Sequence, residues 1–130
     1  MLDRDNKLEI IREKNIGEIS KEISHEELFQ NTTLRPILKF QNDILIHIFI
    51  NYATKNKSVF FSLSNEDKIN YIEKTTSTDY VFRNQLIGLI VGLFTIKEFC
   101  EYIKNSSNLN KRMINMLTER LKSQIHLLNN

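Results

Sequence analysis

Apolar residues recur along most of this chain at mixed spacings of three and four, the period of a helix that buries one face. The cleanest run is the last. Leu109, Met113, Met116, Leu117, Leu121, Gln124 and Leu128 make one stripe, while Lys111, Arg112, Asn115, Glu119 and Lys122 sit mostly off it, which predicts a helix over 108–128. A second long run holds Ile37, Leu38, Phe40, Ile44, Leu45, Ile48, Phe49 and Tyr52, widened by Ile46 and Ile50, and predicts a broad-faced core helix over 34–54. Asn31-Thr32-Thr33 offers capping groups before it, and Pro36 falls in its first turn, where a missing N–H does little harm. The third core helix is expected over 79–94. There Phe82-Arg83-Asn84-Gln85 leads into an apolar run that carries Gly88-x-x-x-Gly92. Glycine costs about 1 kcal/mol against alanine inside a helix. Two of them four residues apart share one face, so the spacing predicts close approach of a second backbone.

Shorter elements announce themselves by their starts. Ser24-His25-Glu26-Glu27 and Thr95-Ile96-Lys97-Glu98 have the spacing of capping boxes. The first predicts a turn through Phe29, and the second a helix whose apolar side is Phe99, Cys100, Tyr102 and Ile103. Ser64 is read as the cap of a helix over 65–76 with Ile69, Tyr71 and Ile72 inward. Ser77-Thr78-Asp79 is read as the cap of the glycine-bearing helix. Val59-Phe60-Phe61-Ser62-Leu63 has strand-like composition, but no second strand exists to pair with it, so it is expected to be a packed connection. Residues 1–23 carry only a weak stripe of Leu8, Ile11 and Ile16, interrupted by Gly17, and read as an N-terminal arm, either a short helix or extended. The expected fold is all-α: a compact bundle of about five or six helices, with 24–130 as one domain.

Composition supports this picture. Three Gly and one Pro in 130 residues are too few for the many positive-φ turns of a sandwich or barrel. A chain of this size buries about two-thirds of its unfolded surface and needs no staple. The single Cys100 excludes an intrachain disulfide and reads as a small apolar residue in a reduced compartment. The longest apolar run, Leu86 to Phe94, falls short of the roughly 20 residues a membrane span needs. Met1 to Lys7 leads into no apolar segment, so no signal peptide is expected. Cytoplasmic location is the expectation. The 18 Ile, 15 Asn and 12 Lys all have AT-rich codons, which points to a low-GC bacterial genome.

Net charge is +2, and the basic residues alternate with Asp and Glu. That is a solvated surface and not the clustered patch of a nucleic-acid binder. Segments 65–76 and 79–94 have the lengths of a helix-turn-helix. However, a recognition helix needs exposed polar side chains, and the second segment reads Leu-Ile-Gly-Leu-Ile-Val-Gly-Leu. Glu22-x-x-His25 matches half of a di-iron bundle motif, which needs that unit twice. Asp43 and His47 are spaced for a shared ligand, yet Arg35, Lys39, Asp43 and His47 form one solvated row, and two ligands do not make a zinc site. No metal, cofactor or catalytic residue is therefore expected. The remaining candidates are polar residues on apolar helices: Arg35, Gln41, Asn42, Arg83, Asn84, Asn110 and Arg112. Buried, such groups must hydrogen-bond something. Either they cap and bridge helices, or Arg35 and Arg83 bind an anion such as a carboxylate or phosphate in a polar pocket between helices.

The strings Thr33-Leu34-Arg35-Pro36-Ile37-Leu38-Lys39-Phe40-Gln41-Asn42-Asp43, Phe82-Arg83-Asn84 and Asn105-Ser106-Ser107-x-Leu109-Asn110-Lys111-Arg112-Met113 resemble a family of small helical proteins from flavobacteria and their relatives. The resemblance covers roughly residues 24–125. It implies a helical domain and a bacterial source. Some members carry an automatic glyoxalase label, but that fold is built from paired βαββ units with His and Glu ligands on strands, and neither is legible here. Two functions are carried forward. The leading one is a non-enzymatic helical domain that acts through self-association as a homodimer or through protein–protein contact. The alternative is a small-molecule (anionic ligand) binding protein or enzyme with a polar pocket.

Overall fold

The computed structural model describes residues 3–12 and 23–130. Among these residues the fold is all-α, as the periodicity predicts, and contains no strand. The helices are α1 (Asp3–Ile11), α2 (His25–Phe29), α3 (Arg35–Phe40), α4 (Asn42–Lys55), α5 (Asn65–Thr78), α6 (Tyr80–Val91), α7 (Ile96–Tyr102) and α8 (Ser106–Ser123), with 3₁₀ turns at Val59–Ser62 and Ile125–Leu127.

The local start signals hold. Ser24 Oγ accepts from the Glu27 amide at 3.2 Å, and Ser64 Oγ accepts from Asp67 at 3.2 Å. Thr95 and Glu98 complete a full capping box. Asp79 alone caps α6, accepting from the Phe82 amide at 3.2 Å. Ser77 and Thr78 instead turn their hydroxyls back onto the Glu73 and Lys74 carbonyls, a habit of hydroxyl residues inside a helix. The strand-like Val59-Phe60-Phe61-Ser62 stretch is the packed connection expected of it, with Phe60 fully buried.

Three expectations are corrected. The helix over 34–54 is two helices, because the backbone leaves the helical region at Gln41 (φ −89°, ψ 3°). Asn31-Thr32-Thr33 caps nothing. Gln30–Leu34 is a π-helical turn that joins α2 to α3 without a break, and the Thr32 hydroxyl donates to the Leu28 carbonyl at 2.7 Å. Pro36 gives the physical reason. Its ring crowds the carbonyl four residues back, and the turn widens so that the Arg35 amide reaches Gln30. Finally, Gly88 and Gly92 face outward, and no second backbone approaches them among the described residues. A Cβ on Gly88 would meet nothing within 4 Å, and one on Gly92 would meet the Gly88 carbonyl oxygen at 3.1 Å. The buried stripe of α6 is Phe82, Leu86 and Ile90, spaced by four, and the glycines fall off it.

The chain divides into two compact units. One comprises Met1–Gln41 with Ile87–Met113, the other Asn42–Leu86 with Ile114–Asn130. In the first, Phe94 is buried and meets Phe29 edge-on (5.5 Å, 88°) and Tyr102 (5.5 Å, 64°), with Leu34, Ile37, Leu38, Leu109 and Met113 also buried. In the second, Phe49 lies among the rings of Phe60 (5.0 Å), Tyr71 (6.3 Å) and Phe82 (6.3 Å), and Tyr52 stacks on Phe82 at 4.1 Å. Ile72, Leu117, Leu121 and Leu128 are buried in that unit as well. Its one buried polar pair is between hydroxyls, with Thr118 donating to Thr76 at 2.8 Å.

Candidate functional site

The most connected polar centre lies in the first unit, where α6 ends and α7 begins. A helix C-terminus leaves carbonyls without partners and carries partial negative charge, and an N-terminus leaves amides with partial positive charge. Helix α1 answers both ends. Arg4 donates to the Phe94 and Gly92 carbonyls, each at 2.7 Å, and Arg12 donates to the Leu93 carbonyl at 2.9 Å. Asp5 accepts from the Ile96 amide at 3.2 and 3.3 Å. Arg12 also grips Glu98 with two parallel bonds of 2.7 and 2.8 Å, the planar fork–fork geometry. Glu98 accepts in addition from Thr33 Oγ1 at 3.0 Å and from the Thr95 amide at 2.8 Å. Burial pushes the Glu98 carboxyl up, but the Arg12 guanidinium, the Thr95 amide and the Thr33 hydroxyl outweigh it and hold it below the usual carboxylate range. Both Glu98 oxygens are committed to protein donors, so this centre joins helices and offers no acceptor to a substrate.

A cavity of about 740 Å³ opens elsewhere in the same unit. Its floor is Phe29 and Leu109, both buried, and His25, Glu101 and Lys104 stand exposed around it. Glu26 on its wall accepts from Asn105 Nδ2 at 2.7 Å and lies 3.6 Å from Arg112 Nη2. In the second unit a shallower cavity of about 650 Å³ lies over Tyr52, Tyr71 and Asp79. The Tyr52 hydroxyl donates to Asp79 at 2.6 Å. Burial and that bond push the Tyr52 phenol up to about 12, and the same bond, with the Phe82 amide, lowers Asp79.

The outer face of α7 is of a different kind. Ile96, Phe99 and Ile103 are 48%, 41% and 56% exposed and fall at i, i+3 and i+7, with the Cys100 thiol exposed among them. Lys97 and Glu101 are exposed beside the stripe. The apolar side expected for this helix is thus split. Tyr102 turns inward to Phe94, and the other three residues turn out, because the inward turn is taken by the capping carboxylate of Glu98 and its arginine.

The residues singled out from the sequence are placed as follows. Arg35 is exposed and donates to Asn31 one turn back at 2.9 Å. Gln41 donates to the Leu89 carbonyl at 3.0 Å. Asn42 exchanges two amide bonds with Gln124, at 2.7 and 2.8 Å. Asn110 accepts from the Tyr102 hydroxyl at 2.6 Å, and Arg112 donates to Gln30 at 2.9 Å. Arg83 is half-buried and Asn84 exposed, with no side-chain hydrogen bond or ion pair among the described residues. Arg35 belongs to the first unit and Arg83 to the second, and neither lines the cavity described for its own unit. Asp43 and His47 are exposed on α4, while Glu22 of the Glu22-x-x-His25 motif lies outside the described residues. Sequence reasoning passed over Arg4, Asp5 and Arg12. The only local trace of that centre was the Thr95-x-x-Glu98 spacing, whose carboxylate has its main partner 86 residues away.

Among the described residues no group of three or more His, Cys, Asp and Glu side chains is gathered to hold a metal ion, and no helix is long and apolar enough to cross a membrane. No family model, no curated protein and no solved structure matches the chain.

Proposed function

We propose that this chain is a non-enzymatic helical domain that acts through self-association, as a homodimer in the cytoplasm of a bacterium of the flavobacterial kind its sequence resembles. The observation that supports this reading is the exposed apolar stripe Ile96, Phe99 and Ile103 on a single face of α7. Apolar residues scattered singly on a surface need no partner, but a row along one helix face is the form a protein-contact surface takes. The polar residues favour the same reading from the other side. Arg4, Arg12, Gln41, Asn42, Asn110 and Arg112 are engaged with helix ends and neighbouring side chains, the work of a scaffold.

A second reading has one observation in its favour, the cavity of about 740 Å³ with an apolar floor and charged residues around it. Pockets of this size take drug-sized molecules. Native mass spectrometry of untagged protein separates the two readings. A dimer of bare subunits supports the interaction domain. A stoichiometric extra mass supports the pocket and overturns the first reading, and a bare monomer at about 50 µM overturns self-association.

A further inference from the structure

We infer that the partner at α7 is α7 of a second copy, laid antiparallel across a two-fold axis near Phe99 and Cys100. This rests on the reading of the chain as a self-associating domain and adds which surface does it and in what register.

The geometry comes from the stripe itself. In a two-fold pair of antiparallel helices each residue faces one whose number makes a constant sum with its own, and the surface must complement itself. With the axis midway along the stripe, Ile96 meets Ile103 of the second copy, and Phe99 and Cys100 meet across the axis. The flanks decide between orientations. Lys97 and Glu101 lie on the same side of the stripe, four residues apart. In the antiparallel arrangement that side faces itself in reverse order, so each Lys97 stands within one residue of the level of a Glu101, within reach of an ion pair. In a parallel two-fold arrangement that side would face the other flank of the stripe, where the two charges would gain no partner across the seam. Neither Lys97 nor Glu101 has an ion-pair partner among the described residues. Behind the stripe, the capping box and the Arg12–Glu98 pair hold α7 at both its first turn and its inner side, so the face is presented by an anchored helix.

Helix α7 has seven residues. A seam of this length falls at the small end of specific interfaces, so the dimer is a weak one.

Two measurements on the full chain test this. In sedimentation velocity from about 2 to about 200 µM, Ile103→Glu is expected to leave the protein folded, since the residue is exposed, and to weaken the dimer at least about 30-fold. Lys97→Glu and Glu101→Lys are each expected to weaken it about fivefold, and the double exchange to restore it. Second, a short bis-maleimide is expected to link two copies through Cys100, the chain's only cysteine, and Cys100→Ser abolishes the product. A dimer that survives Ile103→Glu unchanged and shows no Cys100 link would overturn this seam while leaving self-association intact. A monomer throughout the concentration range would overturn both. If Ile103→Glu dissociates the dimer but the charge exchange fails to restore it, the antiparallel register falls.

Discussion

Each of the two units of this molecule is held together internally by its own kind of interaction. The first is tied by charge. Arg4, Asp5 and Arg12 reach from α1 to the carbonyls and amides around residues 92–98, and one carboxylate, Glu98, takes four bonds. The second is filled by rings. Phe49, Tyr52, Phe60, Tyr71 and Phe82 touch one another, and the ionic contacts there, such as Lys122 with Glu73 at 2.7 Å, lie at the surface. The difference teaches where each unit is vulnerable. Ring packing is indifferent to salt, and to pH below the range where its tyrosines ionise, and it is sensitive to volume. A half-buried ion pair tolerates nearby volume changes and fails when either charge is removed, because the other is left stranded.

The hardest blow to the ring-packed unit is Phe49→Ala, expected to destabilise by about 4 kcal/mol in urea titration through the cavity it leaves. If that loss is under about 1 kcal/mol, the contrast between the units fails. The matching blow to the charge-tied unit is Arg12→Met, expected to cost about 3 kcal/mol, with Glu98 regaining an ordinary or raised carboxylate titration by NMR. The Arg12→Met, Glu98→Gln double variant should recover part of the loss.

Acid and alkali sharpen the comparison further. Glu98 is depressed in the folded state, so its stabilisation is present above the unfolded carboxylate value of about 4.3 and is lost as pH falls through the lower folded value. Tyr52 is raised, so its stabilisation is present below the ordinary phenol value of about 10 and is lost as pH rises toward about 12. Asp79 is depressed as well, so each unit loses a carboxylate contribution in acid, whereas the raised phenol belongs to the second unit, and amide NMR should show that unit loosening first in alkali. Tyr52→Phe is expected to cost about 1.5 kcal/mol and to return Asp79 toward the usual carboxylate range. The smallest effect has the opposite sign. Gly88→Ala meets open space and removes backbone freedom from the unfolded chain, so it should stabilise by about 0.8 kcal/mol in thermal unfolding. A loss would show that the glycine face is in use after all.

What was legible in the sequence follows the reach of each interaction. The caps at Ser24, Ser64 and Thr95–Glu98 act over three residues, and the sequence displays them whole. The break at Gln41 has no glycine or proline to mark it. The π turn before α3 does have Pro36, but the same proline suits a first turn equally well in sequence. The two glycines of α6 were misread because their spacing shows only that two small residues share a face, while the face they occupy is decided by Phe82, Leu86 and Ile90. For the candidate site, the polar residues on apolar helices were visible as a class, and Gln41, Asn42, Asn110 and Arg112 do have bonded partners. The partners themselves were not visible, because most lie many residues away. The α7 stripe was visible as apolar, but its direction was set by Arg12, which nothing near it in sequence announces.

One consequence of the α1 ties concerns time. The chain makes α1 some 80 to 90 residues before the carbonyls, amide and carboxylate that α1 holds. With nine residues it is too short to persist as a helix in water unaided. Closing a loop of that length costs about 4 kcal/mol in chain entropy. Until residues 92–98 exist and have begun to fold, α1 has nothing to repay that cost. Its docking is therefore a late event in folding.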